Sequence, residues 1–498
     1  FARLYSKTLP FGTSSSYLFA LVSPMLLFIL LSCIITIQAT HHLSFPMHRR
    51  AVSGSHASRQ WRHSLTSPPP SSTSTSTDNH HHQQRRLYKE IASVHKESDG
   101  VYFTTICIGD AGSQCFTVIV DTGSSTIAVP CKGCDCGSQH SYYDQAASKS
   151  VVDSGSSYSQ CYGEGSCNRG KLLQDTICFG KGCLAESGIK HPFGCCNQYS
   201  PNFKSQDADG IIGVSPSGRT LWKDLATHHK LDTNQLAICF GTTGGEMTVG
   251  GWDETIPGPA GNMSASQEMR WTDMKTSDSF YRVVMSSMVV GDASTTNSDS
   301  ASPAANQVSG FTATRPMVDC GSTFSFMRKS NWNRLRSALM DYCKVDLIHR
   351  CKSLAGRNPG GDESGDADMS LGCYKFSTNN KERWEQMSTF PSLTFQMKES
   401  DSSAAAADGS PVNMCVPATQ YFFLSGAKAN VYCGGIFRDA QDVIGANLLA
   451  NFLVVFQEQP QRMGLARAQC DRNMGPGGGD SSGSGGSGGS GSQDPWIV

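Results

Sequence analysis

The sequence lacks an excess of charge of either sign. Its 498 residues carry 41 basic and 42 acidic side chains, which leave a formal net charge of −1, and the basic residues form no stripe along the chain. Proteins that bind nucleic acid usually concentrate Lys and Arg on one surface, because binding depends on the phosphate charge. We therefore expect no nucleic-acid partner.

Strongly helical stretches are also scarce. The chain has 50 glycines and many serines and threonines, a composition that favours strands and turns. Only 218–229 and 330–343 have the pattern of short helices. Because 498 residues are too many for one hydrophobic core, we predict an all-β protein with two or more cores.

The two ends of the chain lack the pattern of a packed core. Residues 16–39 are apolar and uncharged over a length that could span a bilayer, so we expect 1–39 to be a signal peptide or an uncleaved signal-anchor. Residues 40–98 form a low-complexity leader, which we interpret as a prosegment. Residues 473–498 form a Gly/Ser-rich tail that we expect to be disordered.

Cysteine, in contrast, is abundant, with 20 residues in the chain. This density is typical of proteins that fold in an oxidising compartment. The string CKGCDC places Cys131, Cys134 and Cys136 at spacings that zinc could also use. No second pair follows at zinc-finger or zinc-ribbon spacing, so we favour disulfides over a metal site for these residues.

Two acidic turns are the most informative feature of the sequence. FTVIVDTGSSTIAV (116–129) and RPMVDCGSTFSFM (315–327) share one layout, in which an apolar run, Asp, a small residue, Gly and Ser precede a second apolar run. Later in each half, two aliphatic residues precede a Gly, at DADGIIGVS (207–215) and QDVIGANLL (441–449). One such Asp turn often only closes a hairpin. The ordered pair of motifs indicates an internal duplication.

The duplication explains why Asp121 and Asp319 follow apolar strands. Two carboxylates about 3 Å apart cannot both ionise cheaply, so they share one proton. The ionised group can then take a proton from a bound water, while the protonated group donates to a carbonyl oxygen.

The small residues after each aspartate suit this arrangement. Gly123 and Gly321 let the backbone approach closely, and their N–H groups can hydrogen-bond the carboxylates. Ser124 and Ser322 can donate to the outer carboxylate oxygens and help to keep them ionised.

From about residue 99 to residue 471 the chain resembles the pepsin-like aspartic proteases. The first acidic turn and its hairpin are similar to that family's opening hairpin, CYGEGSCNRGKLLQDTICFG (161–180) to its flap, and 442–470 to its closing strands. The resemblance implies a bilobal β fold, with lobes at 99–264 and 265–472 and an extended peptide in the cleft between them. It also implies a non-covalent tetrahedral intermediate, no cofactor and no metal.

On this resemblance the chain is an aspartic endopeptidase of the secretory pathway, a monomer that acts on peptide or protein substrates. Asp121 and Asp319 are its proton-sharing dyad. Tyr162 and Gly163 belong to the flap that closes over the substrate.

Two departures from the family pattern affect the residues that support the dyad, which include Thr122 and Cys320. Cys320 stands where the family usually has Thr or Ser, and a thiol is a poorer donor across the lobe interface than a hydroxyl. We therefore expect a weaker hydrogen-bond network on that side. Ala128 stands where the family has a Trp that hydrogen-bonds the flap tyrosine. We expect another partner for Tyr162 and a roomier pocket beside it.

The cysteine-rich sequence before the flap is similar to plasmepsin V, its protist relatives and the plant nepenthesin-type enzymes. Plasmepsin V has a small residue at the position of Ala128 and an acidic flap residue that matches Glu164. In that enzyme the acid helps to hold an arginine of the substrate, so we carry to Glu164 the hypothesis of a preference for a basic residue before the cut. The alternative is that Glu164 is an exposed hairpin charge.

Cysteine pairing and one sequon complete the predictions. Beyond Cys33 there are 19 cysteines; we expect Cys320 to be unpaired beside the dyad, which leaves 18 for nine bridges. Cys107 and Cys115 face each other across a predicted hairpin and are a plausible pair, while most other connectivities stay open. The disulfide candidates of the first lobe are Cys107, Cys115, Cys131, Cys134, Cys136, Cys161 and Cys167. Asn262, in the string NMS, is the candidate glycosylation site.

Two other classes of function remain open. The pepsin fold can serve as a non-catalytic binding or inhibitor protein, but such proteins usually lose part of the catalytic set, and here both turns are complete. A membrane-anchored, cysteine-rich adhesion domain would explain the leader and the disulfides but not the duplicated acidic turns. Acid-dependent peptide cleavage that Asp121→Asn abolishes would separate the enzyme from both.

Overall fold

The computed structural model describes residues 90–96, 100–138, 140–163, 165–180, 188–228, 233–258, 269–291, 306–344, 351–353, 370–400, 410–424 and 430–473. The predicted targeting segment, most of the leader, Glu164, Asn262 and the tail from residue 474 lie outside these ranges. Strands dominate the described chain, so the all-β prediction is confirmed. None of the helices in these ranges is long and apolar enough to cross a bilayer.

The strands of the first half of the described chain are β1 Glu90–Lys96, β2 Tyr102–Ile108, β3 Gln114–Asp121, β4 Ile127–Asp135, β5 Val152–Cys161, β6 Cys167–Phe179, β7 Ile189–Tyr199, β8 Gly210–Gly213, β9 Gln235–Phe240 and β10 Gly244–Val249. The helices of this half are α1 Pro201–Ser205 and α2 Leu221–His228. Strand β1, within the predicted leader, pairs with β10 and with the end of β2.

The strands of the second half are β11 Arg270–Lys275, β12 Arg282–Val283, β13 Met285–Val290, β14 Asn306–Gln307, β15 Met317–Asp319, β16 Ser325–Arg328, β17 Cys373–Lys375, β18 Leu393–Met397, β19 Val412–Val416, β20 Phe422–Leu424, β21 Val431–Gly434, β22 Ile436–Asp439, β23 Val443–Gly445, β24 Phe452–Gln457 and β25 Arg462–Arg467. The helices are α3 Lys329–Lys344, α4 Asn380–Met387, α5 Ala418–Tyr421 and α6 Ala446–Leu449. Helices α2 and α3 confirm the two predicted helical segments.

The two acidic turns occupy equivalent places in the sheet. Strand β3 runs parallel to β8, with Asp121 opposite Gly213, and β15 runs parallel to β23, with Asp319 opposite Gly445. A Cβ atom at Gly213 would lie 2.5 Å from the backbone of Ser124, so only glycine leaves room for the acidic turn to pass this close to β8. The pairing confirms the internal duplication that the repeated motifs predict.

A six-stranded antiparallel part of the main sheet joins the two halves, in the order β1, β10, β9, β24, β25, β11. Its central pair is β9 with β24, one strand from each half, joined over six residues. Strand β9 is buried along its whole length, which explains its apolar sequence QLAICF. The acidic turns therefore stand on a framework that backbone hydrogen bonds make continuous.

The disulfides with both partners in the described ranges are Cys107–Cys115, Cys131–Cys195, Cys134–Cys136, Cys161–Cys167, Cys239–Cys470, Cys343–Cys351 and Cys373–Cys433. All seven candidates of the first lobe are therefore bonded. The three cysteines of CKGCDC are among them, and a sulfur in a disulfide offers no thiolate to zinc.

The expectation of nine bridges is wrong. Cys196 and Cys415 are free in the described structure, together with Cys320. Cys195 is bonded, and the next residue, Cys196, faces the opposite side of β7, where it is buried in an apolar cluster. A buried thiol packs there as a small hydrophobic side chain, so an even number of cysteines did not imply complete pairing.

Candidate active site

Asp121 and Asp319 are the last residues of strands β3 and β15. Their side chains are only 4% and 8% exposed, respectively. Each carboxylate is held by its own turn in the same way. The N–H of Gly123 donates to Oδ1 of Asp121 at 2.8 Å, and the N–H of Gly321 donates to Oδ1 of Asp319 at 3.0 Å.

The serines complete this symmetrical pattern on the other carboxylate oxygens. The hydroxyl of Ser124 donates to Oδ2 of Asp121, and the hydroxyl of Ser322 donates to Oδ2 of Asp319 at 2.7 Å. Each carboxylate thus has one backbone donor and one hydroxyl donor. These two donors fix the orientation of the carboxylate, and neither of them is charged.

The two turns also approach each other closely. A Cβ atom at Gly123 would lie 2.9 Å from Oδ1 of Asp319, and a Cβ atom at Gly321 would clash with the carboxylate of Asp121. Each glycine therefore lies directly against the aspartate of the opposite turn. The two carboxyl groups are close enough to interact directly. Burial and then the charge of Asp319 raise the pKa of Asp121 well above its usual range, while the Ser124 hydroxyl opposes this shift.

Behind the carboxylates, Thr122 and Cys320 connect the turns. The Thr122 hydroxyl donates to the carbonyl of Val318 at 2.9 Å and accepts from the N–H of Cys320 at 2.9 Å. The thiol of Cys320 donates to the carbonyl of Val120 at 3.1 Å. Burial raises the pKa of this thiol, which keeps it protonated and able to donate. Thr122 and Cys320 thus each hydrogen-bond the opposite turn, and the thiol of Cys320 is the weaker of the two side-chain donors.

The hairpin of β5 and β6 carries the predicted flap residues. Tyr162 follows β5 directly, its N–H donates to the carbonyl of Ser166 at 2.9 Å, and the disulfide Cys161–Cys167 closes the turn. Gly163 lies in this turn, with open space where a Cβ atom would be.

Tyr162 packs on an aromatic residue that the sequence had not indicated. Its ring lies 5.3 Å from the ring of Phe203, in α1, and the hydroxyl is buried. Phe203 is 41 positions from Tyr162, and no local pattern could have predicted their contact.

The expected roomier pocket beside Ala128 is not present in the described residues. Ala128 is fully buried, and it lies in one apolar cluster with Tyr158. Gly194 is opposite Ala128 in the sheet, and a Cβ atom there would lie 2.5 Å from the Tyr158 ring. A tyrosine from the hairpin therefore fills the space that the smaller residues leave. Tyr158 and Tyr162 are four residues apart on an extended chain and share one face, which is the sequence signal that could have suggested it.

Chemically, two buried carboxyl groups this close together can hold one proton between them and act on a neutral substrate as acid and base together. The hydrogen bonds from both turns make this arrangement rigid. The hairpin beside it offers a tyrosine and an open glycine turn.

Comparison with known proteins identifies aspartic proteases. A family model described as eukaryotic aspartyl protease matches residues 101–468. Aspartic protease 5 of Toxoplasma gondii is 31% identical over 194 residues, 31% of this chain and 20% of that protein. Plasmepsin V of Plasmodium falciparum is 30% identical over 175 residues, 30% of this chain and 29% of that protein. Pepsin A of Gallus gallus is 25% identical over 251 residues, 48% of this chain and 60% of that protein. The chain thus spans between 20% and 60% of the length of these relatives.

Proposed function

Because the chain belongs to the eukaryotic aspartyl protease family, we propose that it is an aspartic endopeptidase. The substrate peptide is proposed to bind between the two acidic turns and to be cleaved there. The observation that carries this proposal is the close pair of buried carboxyl groups, Asp121 and Asp319, with matching donors on each. A structural salt bridge or cap would not bring two acids together away from water.

In the proposed reaction the pair holds one proton and binds a water molecule between its carboxylates. The ionised carboxylate takes a proton from this water, whose oxygen attacks the peptide carbonyl carbon. The protonated carboxyl donates its proton to the carbonyl oxygen, which gives a neutral tetrahedral diol. When the C–N bond breaks, a proton passes to the leaving nitrogen and the carbonyl reforms. The two carboxyl groups titrate as a pair, so the shared proton is not assigned to one aspartate.

Tyr162 and Gly163 are proposed to cover the bound peptide. The open turn at Gly163 leaves room for a substrate backbone, and the half-buried Tyr162 ring, packed on Phe203, gives the flap a fixed support. Closure of such a hairpin excludes water and strengthens the electrostatic interactions in the cleft.

The secretory pathway is the proposed location. The many disulfides of the described chain require an oxidising compartment to form. On this proposal residues 1–39 target the chain to that pathway, 40–98 act as a prosegment, and Asn262 can carry a glycan. The enzyme is proposed to act as a monomer, without a cofactor.

The decisive experiment is cleavage of a peptide library at acid pH, with products identified by mass spectrometry. Asp121→Asn and Asp319→Asn should each lower the rate by at least about 10³-fold, because neither variant can share a proton as the pair does. Asp341→Asn makes the same chemical change on an exposed part of α3 and should keep the wild-type rate. Cleavage by Asp121→Asn at the wild-type rate would show that the acid pair is not the catalyst. Absence of cleavage by the wild-type chain would instead favour the non-catalytic binding protein.

Glu164 is proposed to select a basic residue some positions before the cut. The change Glu164→Ala should lower cleavage of Arg-containing peptides relative to neutral ones by about ten-fold, the value of one charge-assisted hydrogen bond. The control is Asp153→Asn, which removes another acid of the same hairpin, on β5. An unchanged ratio of basic to neutral cleavage in Glu164→Ala would refute this preference.

A further inference from the structure

Two buried polar side chains of the flap hairpin make no hydrogen bond of good geometry in the described structure. Asn168 is fully buried, and neither the nitrogen nor the oxygen of its amide makes a hydrogen bond of good geometry. The hydroxyl of Tyr162 is also buried and makes no hydrogen bond of good geometry, although Asn168 and Tyr158 are close enough to interact with it. Buried amides and hydroxyls are nearly always paired, because the water they lose must be replaced. Groups that lie this close without good alignment can complete their hydrogen bond when the hairpin moves.

Tyr162 and Asn168 are diagonal neighbours on one face of the hairpin. Asn168 is opposite Gln160 in the register of β5 and β6, and Tyr162 is joined to Ser166 by a backbone hydrogen bond. Side chains two residues apart on a strand share a face, and a diagonal partner is within reach of an aromatic side chain. Burial raises the pKa of Tyr162, and the Asn168 amide is near enough to oppose that shift.

The same face leads to the first acidic turn. The hydroxyl of Tyr158 lies 3.0 Å from the hydroxyl of Thr126, five residues after Asp121. Tyr158 also interacts with the hydroxyl of Tyr162. The polar groups of Asn168, Tyr162, Tyr158 and Thr126 therefore form one series from the flap to the turn that holds the carboxylate.

We propose that Asn168 is a positioning residue for Tyr162, and this proposal rests on the proposed protease function. As the flap closes over a peptide, the Asn168 amide hydrogen-bonds the Tyr162 hydroxyl and fixes the ring against the substrate. Ala128, on strand β4, has no side chain that can hydrogen-bond Tyr162. Asn168 supplies the hydrogen bond from the flap's own second strand, so the anchor of the tyrosine moves with the flap.

The variant Asn168→Leu separates this role from a structural one, because it keeps the side-chain size and removes both polar atoms. Replacing an unpaired buried amide by an apolar group should leave the resistance to urea unchanged or raise it. The kcat/KM for a library peptide should nevertheless fall about ten-fold, which is the effect of one lost hydrogen bond in the transition state. Loss of activity without loss of stability is the expected signature.

A double-mutant cycle with Tyr162→Phe identifies the partner. Tyr162→Phe alone should lower kcat/KM by a similar factor, and Asn168→Leu should cause no further loss in that background, because the hydroxyl it would bind is gone. Asn168→Thr retains a hydroxyl at this position and should recover part of the activity. Arg169→Gln changes the next residue, which is exposed on the opposite face of β6, and should leave kcat/KM unchanged.

The outcomes separate this proposal from the proposed function. If the wild-type chain and Asp121→Asn are equally inactive on the whole library, the protease function fails and the role of Asn168 fails with it. If the wild type cleaves and Asn168→Leu cleaves equally well, only the role of Asn168 is refuted. The same holds if the two substitutions reduce kcat/KM independently, so that their effects multiply.

Discussion

Gly123 and Gly321 set how closely the two carboxylates can approach. Each occupies the place where a side chain would meet the aspartate of the opposite turn, so the absence of a Cβ atom is what allows the acids to touch. The chemistry of the pair depends on this contact, because proton sharing requires a distance of a hydrogen bond.

Gly321→Ala should therefore inactivate the enzyme. The new Cβ atom would clash with the Asp121 carboxylate, and a displacement of about 1 Å can lower the rate by about 10²-fold. We expect the free energy of unfolding to fall by about 1–3 kcal/mol as well. Peptide cleavage and urea unfolding measure both effects. Gly163→Ala, where the Cβ atom enters open space, should change stability by less than about 0.5 kcal/mol. Wild-type cleavage by Gly321→Ala would contradict this account of the glycine.

The raised pKa of Asp121 predicts how stability depends on pH. Because the folded protein holds this proton more tightly than the unfolded chain, the carboxyl binds more protons in the folded state above its unperturbed pKa of about 3.9. Its ionisation therefore lowers the stability of the folded protein as pH rises from about 4 towards the raised pKa. In Asp121→Asn this contribution is absent, so the free energy of unfolding should fall less over that range. Urea unfolding at a series of pH values compares the two proteins, and parallel curves would be evidence against the shift.

At the scale of elements, the flap is a hairpin whose tip is closed by a disulfide. Cys161 ends β5, Cys167 begins β6, and the five residues between them include Tyr162 and Gly163. A closed tip has fewer conformations than a free loop, so the flap tyrosine starts near its working position.

Replacing Cys161 and Cys167 by serine should lower activity more than the short loop between them would suggest. The short loop limits the loss of unfolding free energy to roughly 2 kcal/mol. We expect kcat/KM to fall several-fold, because the loosened tip must be ordered by each substrate. The matched control is the double serine variant of Cys343 and Cys351, which also removes a short bridge, at the end of α3. It should lose similar stability but keep its kcat/KM; equal kinetics in the two variants would show that the flap bridge has no kinetic role.

At the scale of the whole molecule, the sheet that joins the halves keeps the two acidic turns in register. Strands β9 and β24 share a ladder of backbone hydrogen bonds, and Cys239, on β9, is bonded to Cys470 across 231 residues of sequence. Both connections oppose a movement of one half relative to the other.

The Cys239–Cys470 bridge should therefore contribute more stability than any short bridge described above. Its long loop corresponds to about 5 kcal/mol in the chain-entropy account. The double serine variant should unfold at a much lower urea concentration and lose activity at lower temperature, while kcat/KM of the folded enzyme at low temperature stays near the wild type. A loss no larger than that of the Cys343–Cys351 variant would show that the sheet alone holds the halves together.

Much of the site could be predicted because its determinants are local and repeated. The acidic turns, the later aliphatic-aliphatic-Gly motifs and the tyrosine of the hairpin each occupy a few adjacent residues. The structure brings Asp121 beside Asp319 and aligns each with a glycine of the later motif, as the duplication required. The two helices were also visible as local patterns.

Contacts between distant segments could not be predicted in the same way. Phe203 under the flap tyrosine, Tyr158 in the space beside Ala128 and the unpaired Cys196 all depend on which faces of separate strands and helices meet.

The amino-acid sequence by itself determined the all-β character, the doubled acidic turn and the position of the flap, since strand periodicity and turn chemistry act over a few neighbouring residues. Only the tertiary structure decided which cysteines are bonded, what supports the flap tyrosine and where Asn168 lies, because close packing selects those neighbours from segments far apart in the chain.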